Sequence, residues 1–217
     1  GGDGDGDSGD GGGDQGGNAH RSRASLLFGR VVVALVDEAS ASQSSGVLDA
    51  YLVTFLHRFF VGRLEDYPSL QGSLEALLAL TKLGELTPVG SVEAVLAGLR
   101  KLHVPQMTVE LRLLCHKLFR ASIDEPGFLL TLDVEKEAGL RKSNDTDSKC
   151  NALVGQFCDM MDEESDPRCL KICFVTGKML VERLECALTT STIDRVFEVT
   201  ECYVPIEFSP PPNDTRG

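Results

Sequence analysis

Pro68-Ser69-Leu70-Gln71-Gly72-Ser73-Leu74-Glu75-Ala76-Leu77-Leu78 is the stretch that decides the fold class. Leu70, Leu74, Leu77 and Leu78 recur at the spacing of one face of a 3.6-residue helix. Pro68 stands where such a helix would begin, because its missing N–H has no intrahelical partner there anyway. A helix with one apolar face must bury that face against something, so the neighbouring segments decide what it packs on.

Working outward, the same spacing recurs. Upstream, Leu48, Leu52, Phe55, Leu56 and Phe59 mark one helix, and Leu27, Phe28, Val31, Val32 and Leu35 mark another. Downstream, Val92, Val95, Leu96, Leu99 and Leu102 follow, with Ser91 as the expected N-cap. Leu111, Leu114, Cys115 and Leu118 come after Pro105, then Leu153, Phe157, Met160 and Met161. Asp166-Pro167, an N-cap followed by an N1 proline, opens a helix with Leu170, Cys173, Phe174, Gly177, Leu180, Val181 and Leu184 on its stripe. Ile193, Val196 and Phe197 mark a shorter last helix.

Helices begin near positions 47 and 68, then near 91 and 107. That step is close to the period of about 40–47 residues of HEAT and armadillo repeats. A third pair, near 149 and 167, follows an interruption at 124–148 whose Lys142-Ser143-Asn144-Asp145-Thr146-Asp147 reads as solvated and mobile. The expected fold is all-α, a HEAT/armadillo-like α-solenoid of paired antiparallel helices over residues 25–203. Pair spacing favours it over an irregular bundle of the same helices. Residues 1–17 hold ten Gly, five Asp, one Ser and one Gln, so 1–24 is expected as a disordered tail. Residues 204–217 are expected as an extended Pro-rich turn.

Composition narrows the function classes. Hydrophobic residues are 42% of the chain and aromatics 6%, with no Trp, so Leu, Val and Ala carry the core. The net charge of −12 repels phosphate backbones and acidic bilayers, which disfavours direct nucleic-acid or membrane binding and leaves proteins as partners. The start at Gly1-Gly2-Asp3 has no signal-peptide pattern, and the stop after Pro-Pro-Pro-Asn-Asp is abrupt, as expected of a fragment. Cys115, Cys150, Cys158, Cys169, Cys173, Cys186 and Cys202 are odd in number and read as reduced thiols of a cytosolic or nuclear protein.

No candidate chemistry rises above packing. Cys169 and Cys173 share a helix face, but no C-x2-C or ligand-spaced His accompanies them, and Cys173 lies on the apolar stripe. His20 falls in the tail, while His57 and His116 are expected at the edge of apolar stripes. Cys115 and His116, adjacent on a helix, point about 100° apart and cannot form a nucleophile pair. The run Asp162-Glu163-Glu164-Ser165-Asp166 reads as a solvated loop before a helix. The expectation is no catalysis, no cofactor and no metal.

One stretch carries a resemblance. Val196-Phe197-Glu198-Val199-Thr200-Glu201-Cys202-Tyr203-Val204-Pro205-Ile206-Glu207-Phe208-Ser209-Pro210-Pro211-Pro212-Asn213-Asp214 closely resembles a signature of the MMS-nineteen family of large HEAT-repeat proteins. Asp166-Pro167-Arg168 before a Leu-rich helix resembles the same family, as do, more weakly, Pro68-Ser69-Leu70-Gln71-Gly72 and the helix at 48–63. The family-motif positions are Asp166, Pro167, Arg168, Cys202, Tyr203, Pro205, Phe208, Pro210, Pro211, Pro212, Asn213 and Asp214. The resemblance implies a non-enzymatic adaptor of the cytosolic iron–sulfur protein assembly targeting complex, in nucleus and cytoplasm. It implies that apoproteins of replication, repair and transcription, such as repair helicases, are the clients. It also implies that assembly subunits dock on C-terminal repeats beyond this chain. The alternative is a HEAT-type transport receptor or general assembly scaffold.

Overall fold

The helices expected from apolar spacing are present, and the register between them makes the chain a repeat. The computed structural model describes residues 14–42, 48–124, 128, 143–184 and 188–204. Among the described residues there are eight α-helices and no strand. They are α1 (Asp14–Ser42), α2 (Ala50–Val61), α3 (Tyr67–Leu80), α4 (Ser91–Arg100), α5 (Val109–Asp124), α6 (Ser143–Met161), α7 (Pro167–Leu184) and α8 (Thr190–Glu201). Short 3-10 turns cover Thr81–Leu86 and Val104–Gln106. None of the described helices is long and apolar enough to cross a membrane. Contacts divide the chain into two units, residues 1–102 with 117–125 and residues 103–116 with 126–217.

In the first unit α1 lies along α3 and runs parallel to it. Arg21 faces Asp66 at 4.0 Å, the Ser25 hydroxyl donates to the Ser69 carbonyl at 3.2 Å, and Lys82 pairs with Asp37 at 2.8 Å. Position numbers rise together on both helices, at offsets of 44 and 45 residues. Glycine allows the approach. A Cβ on Gly29 would sit 2.4 Å from the Gly72 carbonyl oxygen, and one on Gly72 would sit 2.5 Å from that of Ser25. The antiparallel α2 turns back between them, capped by Asp49, whose carboxylate accepts from the Leu52 amide at 2.7 Å. It packs on α3 and α4. Val32, Val36, Val53, Leu56, Phe60, Leu70, Leu74, Leu77, Val95 and Leu99 are buried together in this unit's core. Each such side chain contributes about 1.5–3 kcal/mol of burial.

The second unit repeats the layering. Asn151 of α6 accepts from the Thr189 amide at 3.0 Å and the Thr192 hydroxyl at 2.5 Å, and Asp159 pairs with Arg195. So α6 runs parallel to α8 at offsets of 36 to 41 residues, with α7 returning between them. Leu153, Val154, Phe157, Cys158, Met161, Cys169, Cys173, Leu180 and Leu184 are buried. Within each unit alternate helices lie side by side and parallel, about one repeat apart, which is how an α-solenoid stacks helix pairs.

Several sequence expectations are corrected. The helix expected from residue 25 begins at Asp14, so residues 14–24 of the expected tail are helical, with Arg21 reaching Asp66 at 4.0 Å. Residues 1–13 lie outside the described residues. α6 begins at Ser143, inside the stretch expected to be mobile; residues 125–127 and 129–142 of that stretch also lie outside. Gly90, at φ +78°, caps α4 in place of Ser91. On α1 the expected stripe is rotated: Leu27 and Val31 are 63% and 54% exposed, because the small-residue face of Ser25 and Gly29 is the one that meets α3. On α2, Phe55 is exposed while Val53, His57 and Phe60 are buried, and on α7 the buried line runs through Cys169 and Thr176 instead of Phe174 and Val181.

Candidate functional site

The second unit's turn between α6 and α7 carries the densest polar chemistry among the described residues, and part of the family motif sits in it. Asp162 and Glu163 follow the end of α6, and Glu163 takes a left-handed φ of +59°. Asp166 then caps α7, its carboxylate accepting from the Arg168 amide at 2.9 Å, and Pro167 occupies the first helical position. The Arg168 side chain folds back on Asp166 with two further bonds at 3.0 Å, and this pairing, ahead of other causes, lowers the Asp166 carboxyl to about 2.

Between those residues Glu164 turns inward, its side chain 1% exposed. Arg112 of α5 grips it with two bonds, Nε to Oε2 at 2.9 Å and a terminal nitrogen to Oε1 at 3.0 Å. The remaining Arg112 nitrogen donates to the Met107 carbonyl at 2.9 Å. The Ser165 and Asp166 amides each donate to Glu164 Oε1 at 2.9 Å. Burial works to raise the Glu164 carboxyl, but the Arg112 bonds and the backbone amides outweigh it and hold the group below its usual range. The bonds to Glu164 correspondingly raise Arg112. A two-pronged guanidinium–carboxylate pair also fixes orientation.

His116, one turn along α5 from Arg112, lies 3.4 Å from Glu164 Oε2 and 3.5 Å from the Cys173 sulfur. Burial lowers its ring, against the opposing pull of Glu164, so it is neutral at pH 7. Tyr203, just past α8, closes the cluster. Its hydroxyl donates to the Glu164 carbonyl at 2.7 Å, and its ring meets Phe174 edge-on at 5.9 Å. Burial pushes the phenol up to about 12.

His116, Glu164 and Cys169 bring ligand-type atoms within 4.8 Å of one another, all buried. These atoms are already engaged within the protein: both Glu164 oxygens accept from Arg112 and Oε1 from two amides. Burial holds the Cys169 and Cys173 thiols protonated, at about 11 and about 12. The cluster acts as a clasp joining α5, the α6–α7 turn and the residue after α8.

Two expectations are overturned here. The acidic run is not wholly solvated, because Glu164 is buried in a pair. His57 and His116 are not at stripe edges, being 5% and 4% exposed. The motif residues divide: Asp166, Pro167, Arg168 and Tyr203 belong to the clasp or its rim, and Cys202 is exposed beside it. Pro205, Phe208, Pro210, Pro211, Pro212, Asn213 and Asp214 lie outside the described residues. Glu164 and Arg112 were missed. The available signal was the position of Glu164 two residues before a cap, within reach of helix-start amides.

A family model described as "Dos2-interacting transcription regulator of RNA-Pol-II" matches residues 16–217. The MMS19 nucleotide excision repair protein homolog of Danio rerio is 31% identical over 166 residues, 76% of this chain and 14% of that protein. Its Homo sapiens counterpart is also 31% identical over 166 residues, with the same coverage of 76% and 14%. The DNA repair/transcription protein mms19 of Schizosaccharomyces pombe is 25% identical over 173 residues, 78% of this chain and 15% of that protein. The chain thus spans about a seventh of the length of these relatives. No solved structure matches.

Proposed function

The chain belongs to the MMS19 family, and on that premise we propose that it serves as a non-enzymatic helical adaptor in DNA repair and transcription. The finer reading is that it is part of the adaptor that targets cytosolic iron–sulfur assembly to apoproteins, working in cytoplasm and nucleus. Family membership over residues 16–217 is the observation that carries it. Two further features support it. Parallel layering repeated in each unit gives extended helix surfaces, which suit partner docking. The most polar buried cluster is spent on holding a turn between helices.

In this reading the chain holds apoprotein clients such as repair helicases, and the assembly subunits dock on other repeats. Its negative charge steers basic partners and acts on association rate more than on affinity.

The test is a pull-down with purified iron–sulfur assembly subunits and, separately, with a cluster-requiring repair helicase. Helicase capture that weakens with salt, without capture of the assembly subunits, is the expected result. Tight capture of those subunits by this chain alone would defeat the division. Affinity purification of the full-length protein separates this reading from the runner-up. Recovery of transport cargo in place of repair and transcription apoproteins would favour a HEAT-type transport receptor or general scaffold.

A further inference from the structure

The α1–α2 face of the first unit differs in charge from the chain as a whole. The protein carries a net charge of −12, yet residues 15–36 and 50–63 hold five arginines, Arg21, Arg23, Arg30, Arg58 and Arg63, and no Asp or Glu. Large apolar side chains stand exposed on the same two helices. Tyr51 and Phe55 are 84% and 53% exposed, and Phe59 is partly so. At four-residue spacing these three form one stripe along α2. Thr54, Arg58 and Val61, which face the start of α4, lie on another side of that helix. On α1, Leu27, Phe28 and Val31 are exposed, and the Phe28 ring meets Phe59 edge-on at 5.5 Å. Two antiparallel helices thus hold an apolar groove floored by aromatic rings. Among the described residues, no helix covers Tyr51 and Phe55.

Basic groups gather at one end of this groove. A recess of about 280 Å³ there is lined by Ala24, Phe28, Phe59 and the guanidinium-bearing Arg21 and Arg63. Arg63 lies over the Phe59 ring, 5.3 Å from its centre. Asp66 is the acid that faces both arginines, 3.7 Å from Arg63 and 4.0 Å from Arg21, beyond hydrogen-bond reach. One of its oxygens already accepts from the Ser69 hydroxyl at 2.7 Å. Two half-exposed guanidiniums beside one carboxylate leave a net positive charge at the mouth of an apolar groove.

We propose that this groove docks an amphipathic helix of another protein. Its apolar side chains lie on the Tyr51–Phe55–Phe59 stripe, and an Asp or Glu one turn beyond them meets Arg21 and Arg63. A helix laid between two others presents anchors at three- and four-residue spacing, which matches a straight stripe of this kind. The arginines set the sign of the partner, since a guanidinium offers a carboxylate paired N–H groups. Residues 1–13 of the chain itself hold only Gly, Asp and Ser, so they have nothing apolar to bury there. A single-stranded nucleic acid fits less well: the Phe28 and Phe59 rings pack on each other, Arg63 lies over Phe59, and the net charge repels phosphates.

The experiment titrates the whole chain into a fluorescein-labelled peptide of about 16 residues and reads its anisotropy. The peptide is built from Ala, Leu and Glu, with Leu at three- and four-residue spacing on one face and Glu one turn beyond the last Leu. A second peptide has Gln for Glu, and labelled oligothymidylate is the nucleic-acid probe. Saturable binding of the Glu peptide is expected, about threefold or more tighter than the Gln peptide at low salt, with the difference shrinking as salt is added. Phe55→Ala and Tyr51→Ser, both at exposed positions, should each weaken binding about tenfold with little change in the unfolding midpoint. Arg21→Gln together with Arg63→Gln should equalise the two peptides, and Val89→Ser, exposed outside the groove, should change neither. No saturable binding, equal binding of the two peptides, indifference to the changes at Tyr51 and Phe55, or oligothymidylate held as tightly as the peptide would each overturn the assignment. Self-association of the chain that Phe55→Ala abolishes, in place of peptide binding, would give the face to a second copy and overturn it as well.

Discussion

His57 in the first unit and His116 in the second are both buried, at 5% and 4% exposure, and their surroundings are opposite. His116 has Glu164 at 3.4 Å, Cys173 at 3.5 Å, and Arg112 one helical turn away across the same carboxylate. His57 has no hydrogen-bond partner for either nitrogen. The first unit is held by apolar packing and by a close approach of two backbones at Gly29 and Gly72. A charged clasp fixes the α6–α7 turn of the second. Two histidines on apolar stripes of similar sequence thus take different roles because only one faces a carboxylate from another element.

The largest expected effect tests the clasp. Glu164→Ala strips a half-buried guanidinium and two amides of their acceptor and should cost about 2–4 kcal/mol in urea unfolding. Glu164→Gln keeps an oxygen for those amides and should cost less. Losses below about 1 kcal/mol for both would show that the pair does not hold the turn.

Acid should sharpen the contrast between the histidines. Burial lowers the His57 ring from its ordinary 6.5 to about 4. The unfolded chain therefore takes up this proton first as pH falls. The contribution to stability is complete above about pH 6.5 and is lost progressively toward pH 4, by about 3 kcal/mol in all. Burial lowers His116 as well, adding loss of the same sign. His57→Phe should flatten the decline between pH 6.5 and 4 measured by thermal unfolding, and an unchanged slope would mean that the ring is accommodated when charged.

In the first unit, Gly72→Ala should cost about 1–3 kcal/mol by driving a methyl group against the Ser25 carbonyl, where helix backbone has little room to yield. Smaller again, Tyr203→Phe removes one hydroxyl bond to the Glu164 carbonyl and should cost about 1 kcal/mol, with Arg112 and Glu164 still paired. At the bottom of the scale, Glu163→Gly frees a left-handed residue from its Cβ and should raise stability by up to about 1 kcal/mol. A loss there would mean that the Glu163 side chain matters to the turn.

Element type and order were legible in the sequence because leucine spacing and the Pro68 and Asp166-Pro167 starts agree locally. Which face each helix buries was less legible. On α1 the line Leu27, Phe28 and Val31 is the more hydrophobic, yet Ser25 and Gly29 meet α3, since close backbone approach rewards small residues over large ones. α8 shows the same limit: its apolar positions Ile193 and Phe197 are 51% and 63% exposed. The clasp was hidden for another reason. Glu164 sits in a run of acidic and polar residues, and only the distant Arg112, 52 positions upstream, turns it from a surface charge into a buried one.

The parallel layering has a consequence for how the chain reaches this structure. Its cross-helix bonds join residues 36 to 45 positions apart, so each layer closes over one short loop of polypeptide. Closure entropy grows slowly with loop length, and structures built from such near neighbours fold fast. On a ribosome, α1 and α3 can join as soon as Lys82 has emerged, while α6, α7 and α8 of the second unit have still to emerge.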